Sequence, residues 1–270
     1  MMTPEQKALL SALRDDLRAF KAEIRSSHKN KPRHVADTVR EFDGGGKIFE
    51  AFIVLRLKLY FEQSGATTAI CDARGGETEV YVLRGGPGHL RRNARTASHP
   101  EPGFVSIRQP DGRVFELHNS VEWPDHFVGG NETHELDVSI ASPPECDRLD
   151  SWYQRGGRAP RPTMGIEAKF HGRAPGKEIS RGVTGLAARL GVPLVYLITS
   201  MEPSETIVRQ LRSLCGRSFE TTTIVDAAAL SVRLTDSQIN AQGLVHVVRQ
   251  INSFGSQGEG TSAADLSPAA

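Results

Sequence analysis

Residues 192–200, VPLVYLITS, limit what this chain can fold into more than any other stretch. The run carries no charge and no polar alternation, so it belongs in the middle of a sheet with both faces covered. Its flanks supply the covers. KEISRGVTGLAARLG (177–191) reads as an amphipathic helix with a glycine end, and SETIVRQLRSLCG (204–216) as a helix opened by Ser204. TTTIVDAAA (221–229) then reads as a strand and TDSQINAQGLVHVVRQINS (235–253) as a helix.

Upstream, GKIFEAFIVLRLKLYFEQSG (46–65) reads as a long helix, apolar on most of its circumference and therefore buried, with Gly65 as its stop. Five strand-like stretches follow it. They are TEVYVLRG (78–85), GFVSIRQ (103–109), GRVFELHNS (112–120), HELDVSIAS (134–142) and TMGIEAKFH (163–171). Between the last two, PPECDRLDSWYQRGGRAPRP (143–162) has the composition of a loop. This order of elements predicts an α/β sandwich around a central mixed sheet flanked by helices.

The ends differ from this core. Residues 3–27 carry one apolar stripe, Leu10, Leu13, Leu17, Phe20 and Ile24, and predict a helical arm over 1–44 that packs on its own domain or on a second copy. Residues 45–253 form the main domain, and 254–270, which hold little to bury, are expected to be a disordered tail. The formal net charge of +1 over 270 residues gives no overall polybasic character, so any contact with nucleic acid must come from local patches. No uncharged apolar run of about 18 residues occurs, which predicts a cytoplasmic protein with no membrane partner. Cys71, Cys146 and Cys215 are widely spaced, without a CxxC or a Cys/His pair, and the histidines form no HExxH or HxH. The expectation is reduced thiols and no structural zinc.

Alternation places chemistry on one strand. Met164, Ile166, Ala168 and Phe170 share one face, and Glu167, Lys169 and His171 the other, with Glu167 and Lys169 about 6–7 Å apart. The same count on 134–142 puts Leu136, Val138 and Ile140 on one face and Glu135, Asp137 and Ser139 on the other. If the apolar sides align, Asp137 and Glu167 emerge together beside Lys169. Two carboxylates at close range repel unless a cation neutralises them, and hard oxygen ligands favour Mg²⁺ or Mn²⁺. A neighbouring lysine suits the offsetting of charge on a phosphate or the positioning of water, so the set points to phosphodiester hydrolysis.

These residues resemble the PD-(D/E)XK nuclease superfamily, in which an acid on one strand is followed by Glu-x-Lys on the next, then by a helix and a strand. Asp137 matches the acid, Glu167-Ala168-Lys169 the Glu-x-Lys, and Glu50 the glutamate often found on the first core helix. Leu136 stands where the pattern's proline would be, and about thirty residues separate the acids. A second Glu-x-Lys, Glu5-Gln6-Lys7, lies on the N-terminal helix and shows how little the tripeptide means without its strand.

The resemblance implies a restriction endonuclease-like core that binds DNA and cuts it with Mg²⁺, for which Mn²⁺ substitutes. Asp137, Glu167 and Glu50 would hold the metal, with Lys169 catalytic beside Asp137 and Glu167. It also implies a role in restriction or phage defence, and a homodimer is an expectation because one such site cuts one strand. Lys177 and Arg181, at the start of the next helix, and Arg161 in the loop before the Glu-x-Lys strand are candidate DNA-backbone contacts. The run 88–99, GHLRRNARTASH, adds basic groups, and Glu135 is a candidate outer ligand. The competing readings are a non-catalytic DNA-binding or scaffold protein that keeps this fold, and a small-phosphate binder. The latter has no GxxxxGK[ST] or GxGxxG loop to support it.

Overall fold

The computed structural model describes residues 46–78, 81–84, 86–92, 102–128, 131–169, 177–199, 204–215, 224–231, 233–235, 238–240, 248–249 and 251–252. The N-terminal arm, the C-terminal tail, Phe170 and His171 lie outside them. Helices α1 (Gly46–Gln63), α2 (Pro143–Arg155), α3 (Lys177–Leu190) and α4 (Glu205–Cys215) accompany seven strands of one sheet. The strands are β1 (Thr67–Cys71), β2 (Phe104–Arg108), β3 (Val114–Pro124), β4 (Thr133–Ala141), β5 (Met164–Lys169), β6 (Leu194–Thr199) and β7 (Ile224–Ser231). They lie side by side in chain order. β1 to β5 pair antiparallel, and β5, β6 and β7 pair parallel through the α3 and α4 crossovers. The α/β class with a mixed sheet expected from the sequence is the one observed.

Two apolar clusters lie on the sheet. Under α1, Phe49, Val54, Leu57 and Phe61 pack on Leu117, Val138, Ile140, Ile166 and Tyr196. On the other cluster, Leu149 of α2, Val183, Ala187 and Leu190 of α3, and Ile207 and Leu211 of α4 pack on Trp123, Leu136, Val195 and Leu197. Every residue of β6 is buried, which fits its uninterrupted apolar run. Gly65, at φ 92°, and Gly191, at φ 56°, turn the chain out of α1 and α3 in the left-handed region. Among the described residues, no helix is long and apolar enough to cross a membrane.

Three expectations change. Residues 143–155 form a helix, not a loop. Pro143 opens it after Ser142, and Cys146, Leu149 and Trp152 are buried at helical spacing, a stripe short enough to be masked by the surrounding proline, glycine and arginine. The described part of 78–85 is extended but not a strand. Tyr81 and Leu83 are buried, yet the backbone of Arg84 bonds the side-chain amide of Asn119 in both directions, at 3.1 and 2.9 Å, in place of a ladder. β8 (Arg233–Thr235) and β9 (Gln238–Asn240) pair antiparallel, where the sequence suggested the first turns of a helix.

Gly103 marks a close approach. It donates its N–H to Val82 O at 3.0 Å, and a Cβ there would fall 2.2 Å from the carbonyl oxygen of Cys71. Gly103→Ala is therefore expected to destabilise the fold by about 1–3 kcal/mol, the cost of overpacking against fixed backbone. The checking measurement is a lower urea midpoint at unchanged slope.

Candidate active site

The site begins where two strands part. β4 and β5 pair at Ile140↔Met164, Ser139↔Gly165 and Val138↔Ile166 and no further, although β4 starts five residues before Val138 and β5 continues to Lys169. Beyond that point Ala168 N donates not to a β4 carbonyl but to Asp137 Oδ2, at 2.8 Å. The opened edge of β5 thus holds the carboxylate of β4.

A break in alternation explains the parting. Asn119 pairs with Val138 and Val121 with Leu136, so Ser120 and Asp137 lie opposite each other. Ser120 has φ 49°, the one described non-glycine residue in the left-handed region. Across this point the faces exchange. Leu117 and Val138 belong to the α1 cluster, whereas Val121 and Leu136 belong to the other. The period-two count that grouped Leu136 with Val138 and Ile140 fails here, because one left-handed residue resets the alternation. Leu136 instead covers Gly165, where a Cβ would meet its methyl groups at 2.9 and 3.0 Å.

Asp137 and Glu167 still come together, and Lys169 joins them. Its Nζ lies 2.9 Å from Asp137 Oδ2 and 2.8 Å from Glu167 Oε2. Both acids are buried. Burial, and then the charge of Asp137, push the carboxyl of Glu167 well above its ordinary range, against the pull of Lys169. Burial also works against the charge on Lys169, but Glu167 and Asp137 outweigh it and raise its pKa.

Glu50 approaches from the first turns of α1. Only 6% exposed, it accepts from Lys47 Nζ at 2.8 Å and from Ser120 Oγ at 2.9 Å. Burial raises its carboxyl to about 7. Lys47 and Ser120 oppose the shift, and the nearby charge of Asp137 adds to it. Glu50 thus pairs with Lys47 and also feels Asp137. Lys47 Nζ further donates to Ser120 Oγ at 2.6 Å and reaches Glu135 Oε1 at 3.5 Å. The site therefore holds Glu50, Glu135, Asp137 and Glu167 against Lys47 and Lys169, four carboxylates to two ammonium groups. No family model, curated protein or solved structure matches the chain.

The donor set fits a hard divalent cation. The ligand atoms are carboxylate oxygens, and burial, with the charge of Asp137 adding to it, holds Glu50 and Glu167 above their ordinary range against the pull of the lysines. Glu50, Asp137 and Glu167 do not close to within 4.8 Å as a set, and Lys169 stands between two of them. The pairing of Glu50 with Lys47, three residues earlier on the helix, was readable from the sequence. Sequence reasoning missed Ser120, which acts through its backbone angle and its register and leaves no composition signal.

The candidate DNA contacts divide. Lys177 and Arg181 are exposed on the first turns of α3, the helix that follows β5. Arg161 is exposed, but its guanidinium lies close to Gly191, just past the other end of α3 and about 20 Å from Lys177 along a helix of this length. The structure does not bring it to the carboxylates. Arg92, from the basic run 88–99, is paired with Glu116 and Asp147. Trp123 and Trp152 are buried and serve the core.

Proposed function

We propose that this protein is a divalent-metal-dependent endonuclease of the PD-(D/E)XK type that hydrolyses phosphodiester bonds in DNA. The observation that carries the reading is the convergence of Asp137, Glu167 and Lys169 at the opened edge of β5, with Glu50 buried on α1 where it feels the charge of Asp137. An ordinary solvated strand face would leave these groups exposed. Here Asp137 and Glu167 are buried around Lys169 and Glu50 is buried beside Lys47, an arrangement whose desolvation cost calls for a functional reason.

In this reading Asp137, Glu167 and Glu50 hold Mg²⁺ or Mn²⁺. The cation, when bound, supplies polarisation of the scissile phosphate and neutralises the carboxylates. The chain's own residues do the rest. The Ala168 N–H fixes the orientation of Asp137 at 2.8 Å. Ser120 and Lys47 fix Glu50. Lys169, kept protonated by its two acids, presents a positive charge to a phosphate that gains charge as the bond breaks. Lys177 and Arg181, exposed at the positive end of α3, would meet the DNA backbone in this reading. A role in restriction or phage defence rests on the resemblance alone.

Incubation of the full chain with supercoiled plasmid tests the reading. Nicking or linearisation is expected with Mg²⁺ and with Mn²⁺, none with chelator, and none with Asp137→Ala. Cleavage that survives chelation, or an Asp137→Ala protein as active as the parent, would overturn the mechanism. DNA binding without cleavage under any of these conditions would favour the non-catalytic reading.

A further inference from the structure

A second constellation lies apart from the carboxylates and has a different chemistry. Among the described residues, Glu116, His118 and Cys146 are the one group of three Asp, Glu, His or Cys side chains whose ligand atoms all fall within 4.8 Å of one another. Glu116 and His118 are two apart on β3, so both project toward α2, which brings Cys146 from its second turn. All three are buried, Cys146 completely.

The distances are those of ligands around a small cation. His118 Nε2 lies 2.9 Å from Glu116 Oε2 and 3.7 Å from Cys146 Sγ. Around tetrahedral zinc, ordinary bond lengths place nitrogen about 3.3 Å from oxygen and about 3.6 Å from sulfur, so an opening of a few tenths of an ångström suffices. The surroundings fit as well. Arg92 donates to Glu116 Oε1, so a metal would take Oε2 in place of its pairing with His118, with Arg92 as the outer partner that orients the ligating carboxylate. Asp147, 3.0 Å from Arg92 Nε, balances that guanidinium. With Cys146 as thiolate, the two carboxylates and the thiolate offset Arg92 and a dication. A small pocket lined by His118, Phe104, Arg84 and Leu90 opens beside the cluster.

We propose that Glu116, His118 and Cys146 bind Zn²⁺, or a chemically similar borderline-soft dication, and that the metal clamps α2 to β3. The sequence argued against a zinc site because these ligands come from one strand and from a helix 28 residues away, with none of the short spacings by which zinc sites are recognised. The nitrogen and sulfur donors separate this site from the oxygen-only cluster around Asp137, since Mg²⁺ takes neither readily.

The test is made on the full chain, stripped with chelator and then titrated with Zn²⁺ and with Co²⁺. About one equivalent of Zn²⁺ should bind in the presence of excess Mg²⁺. The Co²⁺ protein should show the visible bands of a tetrahedral site and a near-ultraviolet thiolate-to-cobalt band. Cys146→Ser should abolish that band and weaken Zn²⁺ binding at least about a hundredfold, as should His118→Gln. Cys71→Ser and Asp137→Ala should leave both unchanged, which keeps the result independent of the nuclease reading. Circular dichroism reports whether each variant folds. If Cys146→Ser does not fold, the cobalt spectra of the parent and of Cys71→Ser still decide. An octahedral spectrum without a thiolate band, or Zn²⁺ binding unaffected in a folded Cys146→Ser protein, overturns the proposal.

Discussion

Lys169→Met is expected to lower Mg²⁺-dependent DNA cleavage by about three orders of magnitude while leaving cation affinity unchanged or tighter. Methionine keeps the length and apolar stem of the side chain and removes only the ammonium group. In the structure that group sits 2.9 Å from Asp137 and 2.8 Å from Glu167 and supplies part of their charge compensation. Without it the two carboxylates repel more strongly, and a dication gains by replacing the missing charge. The transition state gains nothing comparable. A positioned charge that meets a phosphate as it becomes more negative is worth on the order of 10²–10⁴ in rate, and among the described residues no second ammonium pairs with Asp137 or Glu167 to supply it. Single-turnover nicking gives the rate, and calorimetric titration with Mn²⁺ gives the affinity. Loss of both together would mean that Lys169 holds the acids in place and does nothing more. Undiminished cleavage would remove it from the chemistry.

The core of the site was legible in the sequence because it obeys local rules. Glu167 and Lys169 lie on a strand whose apolar alternation is intact, and the buried run of β6 beside it fixes that strand's place in the sheet. Asp137 was found by the same alternation for a partly mistaken reason. It does converge with Glu167, but through the reversal at Ser120 and the end of β4–β5 pairing, not through a continuous shared face. A left-handed serine has no signature in composition or period, so neither the exchange of faces nor the hydrogen bond from Ser120 to Glu50 could be read beforehand. Helix α2 failed for a different reason. Its buried stripe of Cys146, Leu149 and Trp152 spans barely two turns and is embedded in charge, so the proline and glycine around it dominate the local pattern. Misreading α2 as a loop also concealed Cys146 as a partner for His118.

Glu50→Gln is expected to change how the stability of the metal-free protein depends on pH. Glu50 titrates near 4.5 in an unfolded chain and at about 7 in the folded one, so the folded state holds its proton more tightly. Stability is therefore greatest below about pH 4.5 as far as this group is concerned. It falls as pH rises toward 7 and is flat above, because there the buried carboxylate is charged in both states. A rise of that size corresponds to roughly 3 kcal/mol, or a melting-temperature change on the order of 6–12 °C for a domain of this length. Glutamine keeps an acceptor for Ser120 and Lys47 but carries no titrating charge. The variant should thus match the parent near pH 5 and melt higher than it at pH 8. Mg²⁺ should reverse the order at pH 8, since the cation stabilises the parent by binding the same carboxylate and finds a weaker site in the variant. Melting curves at the two pH values, each with Mg²⁺ and with chelator, separate the possibilities. Glu167, raised in the same window, keeps part of the pH dependence in the variant, so if the variant loses none of it the proton belongs to another group. If the dependence weakens but Mg²⁺ stabilises both proteins equally, Glu50 is a buried partner of Lys47 and not a ligand.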